Sequence, residues 1–107
     1  MNQKADIGAK TINNETPLHY AALYCNLSVV KYLVNQNADI NAKTKNNETP
    51  LHYAASNGDL NVVKFLVKRK AEINCKNKNG ITPLELANRY SHSNVVEFLK
   101  QKDDCRL

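Results

Sequence analysis

Thr16-Pro17-Leu18-His19-Tyr20-Ala21-Ala22 returns unchanged as Thr49-Pro50-Leu51-His52-Tyr53-Ala54-Ala55, 33 positions later, and again in altered form as Thr82-Pro83-Leu84-Glu85-Leu86-Ala87-Asn88. A chain with this period is assembled from copies of one supersecondary unit, none of which can cover its own apolar face. The register holds beyond the heptad. Val29-Val30 aligns with Val62-Val63 and Val95-Val96, and Leu33 with Leu66 and Leu99. Ala38-Asp39-Ile40-Asn41 aligns with Ala71-Glu72-Ile73-Asn74, and Ala5-Asp6-Ile7-Gly8 fits the same slot.

Local signals divide each unit into two helices and a turn. Thr16, Thr49 and Thr82 each precede a proline, the arrangement expected of an N-cap followed by the first helical residue, whose missing N–H costs nothing there. Leu18 and Ala21, Leu51 and Ala54, and Leu84 and Ala87 are three apart and so share a helix face, where the small alanines allow neighbouring helices to approach closely. The first helices are expected to end near Cys25, Gly58 and Ser91, and Asn26 and Asp59 to cap the second. Val30, Leu33 and Val34, and likewise Val63, Leu66 and Val67, then face the stack. Asn37 and Lys70 occupy the following turn, where Lys70 is strained if its φ is positive. Asn13-Asn14, Asn46-Asn47 and Asn79-Gly80 are tight-turn dipeptides.

A 33-residue period around Thr-Pro-Leu-His-x-Ala resembles the ankyrin repeat family, and the resemblance covers almost every residue from Ala5 onward. It implies an all-α solenoid of stacked helix-turn-helix pairs with projecting β-hairpin loops. A single domain, 1–107, is expected, with a repeat tail at 5–10 and repeats at about 11–43, 44–76 and 77–107. Ile7 and Ala9 would tuck that tail against the stack. In the last repeat Glu85 replaces His, Asn88 replaces Ala, Glu97 replaces Lys and Lys100 replaces Val, each adding polarity where a further repeat would dock. Glu85 also completes a Thr-x-x-Glu capping box with Thr82. The array is expected to end near Leu107.

Composition narrows the function classes. The net charge is +5, but 15 cationic and 10 anionic side chains are interleaved, which suits solubility and a mild preference for acidic partners. Cys25, Cys75 and Cys105 stand far apart, with no Cys-x-x-Cys or His-x-x-x-His spacing. That pattern suggests neither a zinc site nor a disulfide frame, and points to a reducing compartment, cytoplasm or nucleus, of the source cell or of a host cell. No apolar run approaches signal-peptide or membrane-span length. No Gly-rich phosphate loop, Gly-x-Ser-x-Gly elbow or His-Glu-x-x-His pattern is present.

The sequence therefore reads as a non-catalytic, monomeric module without cofactor or metal. His19 and His52 recur once per repeat, which suits a scaffold better than a reaction centre; in the family this histidine hydrogen-bonds backbone in and between adjacent turns. Glu15 and Glu48 share one slot and form a solvated row. Lys10, Lys43 and Lys76, with Lys45 and Lys78, raise a cationic edge, and Lys68 to Lys70 sits at a helix end that favours cations without any partner. Weak nucleic-acid binding through that edge is the alternative of another class, without a recognised module to support it. A further alternative is the capped C-terminal part of a larger ankyrin scaffold or effector.

Partners of the family are gripped by fingertip residues and by the exposed side of the first helices. Carried over by alignment, these positions are Ile12, Asn13, Glu15, Leu23 and Tyr24 in the first repeat, Lys45, Asn46, Glu48, Ser56 and Asn57 in the second, and Lys78, Asn79, Ile81, Arg89 and Tyr90 in the third. Tyr24, Arg89 and Tyr90 are the expected anchors of a protein partner, since tyrosine and arginine are enriched at binding hot spots. Asn41 and Asn74 match the position that asparaginyl hydroxylases modify in some members, although a hydrogen-bonding role in the turn is the stronger reading.

Overall fold

The computed structural model describes residues 9–105, with side chains through residue 102; of the expected N-terminal tail, Ile7 lies outside the described residues. The threonine-proline signals open three helices: α1 (Pro17–Leu23), α3 (Pro50–Asn57) and α5 (Pro83–Arg89). Thr16, Thr49 and Thr82 are extended, and their side chains accept the N–H of His19, His52 and Glu85, three residues on. Antiparallel to these run α2 (Leu27–Asn35), α4 (Leu60–Lys68) and α6 (Ser93–Cys105). Asn26 and Asp59 cap α2 and α4 through their side-chain oxygens, as expected.

Each reversal is closed in one way. The N–H of a left-handed residue bonds two carbonyls back from the cap, and the next N–H bonds one further: Lys70 to Val67 and Ala71 to Leu66 after α4, Asn37 to Val34 and Ala38 to Leu33 after α2. These are Schellman ends. Their left-handed residues include Cys25, Asn37, Lys70 and Ser91, with Lys70 the most positive at φ 79°. An L side chain there costs roughly 1–2 kcal/mol. Lys70→Gly is therefore expected to stabilise the fold by about 1 kcal/mol, less the added freedom of the unfolded chain, read as a higher urea midpoint at unchanged slope.

The helices stack in two layers. α3 packs between α1 and α5, and α4 between α2 and α6. Ala21, Ala22, Ala54, Ala55 and Ala87 are buried in the first layer, where their small side chains set the close spacing, while Val30, Leu33, Val63, Leu66, Val95 and Leu99 fill the space between layers. Val34 is buried with them, and Val67 is half-buried. On the outer side of the last repeat, Glu85, Asn88, Glu97 and Lys100 are all exposed.

Two expectations are corrected. The fingertips are turns, not β-hairpins: among the described residues there is no strand. Thr44 N–H bonds the Glu48 carbonyl and Asn47 N–H the Thr44 carbonyl, and one bond, Lys45 N–H to Asn13 carbonyl, joins this turn to the one before. A single link per neighbour makes no ladder. Ala9 is exposed at the rim of a groove, where nothing of the stack covers it.

Candidate functional site

The histidines are built into the scaffold. His19 Nδ1 accepts the Thr16 backbone N–H at 3.1 Å, and its Nε2–H donates to the Glu48 carbonyl at 2.8 Å. His52 repeats this with Thr49 at 3.1 Å and the Ile81 carbonyl at 2.9 Å. Each ring therefore closes its own capping box and fastens its repeat to the next turn. Both rings are fully buried, and burial holds both imidazoles below the ordinary histidine range, with the accepting carbonyls pulling weakly the other way. A neutral ring with both nitrogens engaged has no capacity left for a substrate or metal. Among the described residues no group of three His, Cys, Asp or Glu is placed to hold a metal ion.

Glu15 is more than a solvated fingertip. Tyr20 Oη donates to one carboxylate oxygen at 2.7 Å and Tyr53 Oη, from the next repeat, to the other at 2.7 Å. These two hydroxyls hold the Glu15 carboxyl below its usual range, Tyr53 contributing most. In return, burial first and the bond to Glu15 second push the Tyr53 phenol well above the usual tyrosine range. Neither tyrosine ionises near neutrality.

The predicted positions fall into three groups. Leu23, Glu48, Ser56 and Tyr90 come together with His52, Tyr53 and Leu86 around a groove of about 180 Å³ on the α1/α3/α5 side. Asn57 borders it, donating from its side-chain amide to the Leu23 carbonyl. Arg89 precedes Tyr90 at the end of α5 and is exposed. Tyr24 and Glu15 instead line a second groove, about 510 Å³, with Pro17, Tyr20, Ala21 and Val29 at the outer face of the first repeat. Tyr24 stacks on Tyr20 there, centroids 6.4 Å apart. The structure thus does not bring Tyr24 and Tyr90 into one groove.

The third group is the row of fingertips. Ile12 is 84% exposed. Asn13, Lys45, Asn46, Lys78 and Asn79 are exposed too, while Ile81 is half-buried and gives its carbonyl to His52. Asn13 and Asn46 each lend a backbone carbonyl to the following turn, through Lys45 and Lys78 N–H, which leaves their side chains outward. Lys10, Lys43 and Lys76 are exposed as well. At the other cationic cluster, Arg69 is engaged: it donates to Asn35 Oδ1 at 2.7 Å and lies 5.6 Å from the Phe65 ring centroid. Asn41 has the expected turn role, its Oδ1 accepting the Glu72 N–H at 2.8 Å.

From the sequence, Tyr20 and Tyr53 border the binding face, with half-buried packing as their stronger role; what it did not yield is Leu86 as a groove residue and the two tyrosines as donors to Glu15. The signal was present in their shared slot, Tyr20, Tyr53, Leu86: a position that loses its hydroxyl only in the third copy leaves a carboxylate without its donor.

A family model described as ankyrin repeats (3 copies) matches residues 1–77 and 38–107, and the chain belongs to the ankyrin repeat family. Repeats of this family are generally protein–protein interaction modules and typically non-catalytic. A search of curated proteins returns no match. Among the described residues no helix is long and apolar enough to cross a membrane.

Proposed function

We propose that the chain is a protein-binding module that grips a partner across the α1/α3/α5 side and the fingertips, acting as a monomer in the cytoplasm or nucleus. The observation that carries this is the groove that joins Leu23, Glu48 and Tyr90 from three successive repeats. Tyr90 is 54% exposed beside it and Tyr24 72% exposed at the first repeat. Large aromatics held on rigid helices lose little entropy on binding. The lysines of the fingertips steer acidic groups to the rim. Proximity labelling in the source cell would supply a partner for measurement. Tyr90→Ala is expected to weaken its capture by about 2 kcal/mol, the scale of a hot spot. Capture left intact by Tyr24→Ala with Tyr90→Ala, the fold persisting, would put the binding face elsewhere.

A second reading concerns the outer face of the first repeat. Val29 is 40% exposed, whereas Val62, in the same slot one repeat on, is 0% exposed. The large groove beside Val29 has the composition of an inter-repeat surface, which supports membership in a longer ankyrin array; coding sequence in frame upstream of Met1 decides it.

A further inference from the structure

Glu15 and Glu48 hold one slot in consecutive repeats, and Tyr20, Tyr53 and Leu86 hold another. The Glu15 carboxylate is satisfied on both oxygens by Tyr20 and Tyr53. By the same register the donors for Glu48 would be Tyr53 and residue 86. Tyr53 gives its hydroxyl to Glu15. Residue 86 is leucine. Glu48 therefore receives one side-chain bond, from Asn77 Nδ2 to Oε2 at 3.2 Å, and among the described residues its Oε1 accepts none.

That carboxylate lines the small groove, whose walls are Leu23, Leu86 and the rings of Tyr53 and Tyr90. His52 and Ser56 complete the lining, and burial keeps His52 uncharged. Among the described residues that line the groove, Glu48 is then the one charged group. An acceptor with spare lone pairs, half-buried among apolar walls, is complemented by a cationic donor on an alkyl stem. Arginine fits better than lysine, because a planar guanidinium donates in parallel to a carboxylate and stacks on tyrosine faces.

We propose that this groove is the subsite for a single arginine side chain of a protein partner, its guanidinium on Glu48 and its stem against Leu23 and Leu86. The inference rests on the binding face proposed above and names the chemistry that face recognises. The exposed lysines at the fingertips repel a uniformly basic segment. The partner therefore presents one arginine in neutral or acidic surroundings.

A random peptide library displayed on phage and selected against the whole chain tests this, with synthetic peptides then titrated against wild type, Glu48→Gln, Leu86→Tyr and Tyr90→Ala. Glu48→Gln keeps an acceptor for Asn77 and removes only the charge. Leu86→Tyr supplies the hydroxyl that the first two repeats give Glu15 and fills the groove. The expected result is a shared arginine whose peptides lose about tenfold or more in affinity on Glu48→Gln, on Leu86→Tyr, and on exchange of that arginine for citrulline. Peptides that depend on Tyr90 but share no arginine, or that bind Glu48→Gln equally, overturn the subsite and leave the binding face standing. Peptides indifferent to both Tyr90→Ala and Glu48→Gln, or a selection that yields none, overturn both.

Discussion

His52→Ala is expected to destabilise the protein by about 3 kcal/mol, enough to lower the melting temperature by more than 10 °C in a domain of this size. The side chain is fully buried. Its loss unpairs the Thr49 N–H, which it accepts at 3.1 Å, and the Ile81 carbonyl, to which it donates at 2.9 Å. It also opens a cavity between repeats. Leaving the buried Thr49 N–H and the part-buried Ile81 carbonyl unsatisfied is the costly part, each on the order of 1–3 kcal/mol. His52→Gln retains an acceptor for the local cap but cannot span to Ile81, so roughly half the loss is expected, isolating the inter-repeat bond. A melting curve for His52→Ala within a degree or two of wild type would remove the histidine from its role as fastener.

The same two rings set the acid response. Burial lowers the folded-state pKa of both His19 and His52 from the ordinary 6.5, so the unfolded chain binds protons more readily than the folded one below that value. Their contribution is complete above about pH 6.5 and is lost as the pH falls through the lower folded values. Glu15, whose pKa is lowered from 4.5, adds a loss only further down, below its ordinary value. Urea midpoints are expected to hold steady from neutrality upward and to fall as the pH drops below about 6.5. His52→Gln should flatten that slope.

Gly58→Val carries the second large effect, again about 3 kcal/mol. Gly58 has φ +75°, and a Cβ built there lies 2.4 Å from Nδ1 of His92. A β-branched residue would take the left-handed strain, roughly 1–2 kcal/mol, and would push the His92 ring off the Ser56 carbonyl, to which its Nε2–H donates at 3.0 Å. Adding His92→Ala to Gly58→Val relieves the overlap but not the strain. The double variant is therefore expected to recover about 1 kcal/mol relative to Gly58→Val alone, and denaturant titration of the pair checks it. No recovery would mean that the backbone, and not the ring, demands glycine.

The slots of Gly58 and His92 show how far a linear reading reaches. Gly58 as a left-handed helix end was legible, because only glycine takes that geometry freely. That it also makes room for His92 was not. His92 stands where Asn26 and Asp59 cap their helices, yet its ring turns back over the previous repeat. The family resemblance implied that His19 and His52 bond backbone in and between turns, but not that they do so as the reciprocal residue of a capping box, since the local signature looks for glutamate or glutamine, as in Glu85. Of the expected binding residues, Leu23, Glu48, Ser56 and Tyr90 converge on one groove, whereas Tyr24 falls at the outer face. Alignment assigns each residue a slot in its repeat; it does not say which way the exposed end of a stack faces.

By itself, the sequence determined the period, the six helices, their caps and their left-handed ends, because each of these depends on residues within a few positions of one another. Tertiary structure alone decided which groups meet at long range: that the carbonyl His52 reaches is that of Ile81, 29 residues on, and that Tyr53 bonds Glu15 across 38. Ala54 and Ala55 are fully buried on α3, which packs between α1 and α5. That stacking of one repeat on the next brings the Tyr53 hydroxyl to Glu15 and leaves Glu48, beside Leu86, with an acceptor to spare.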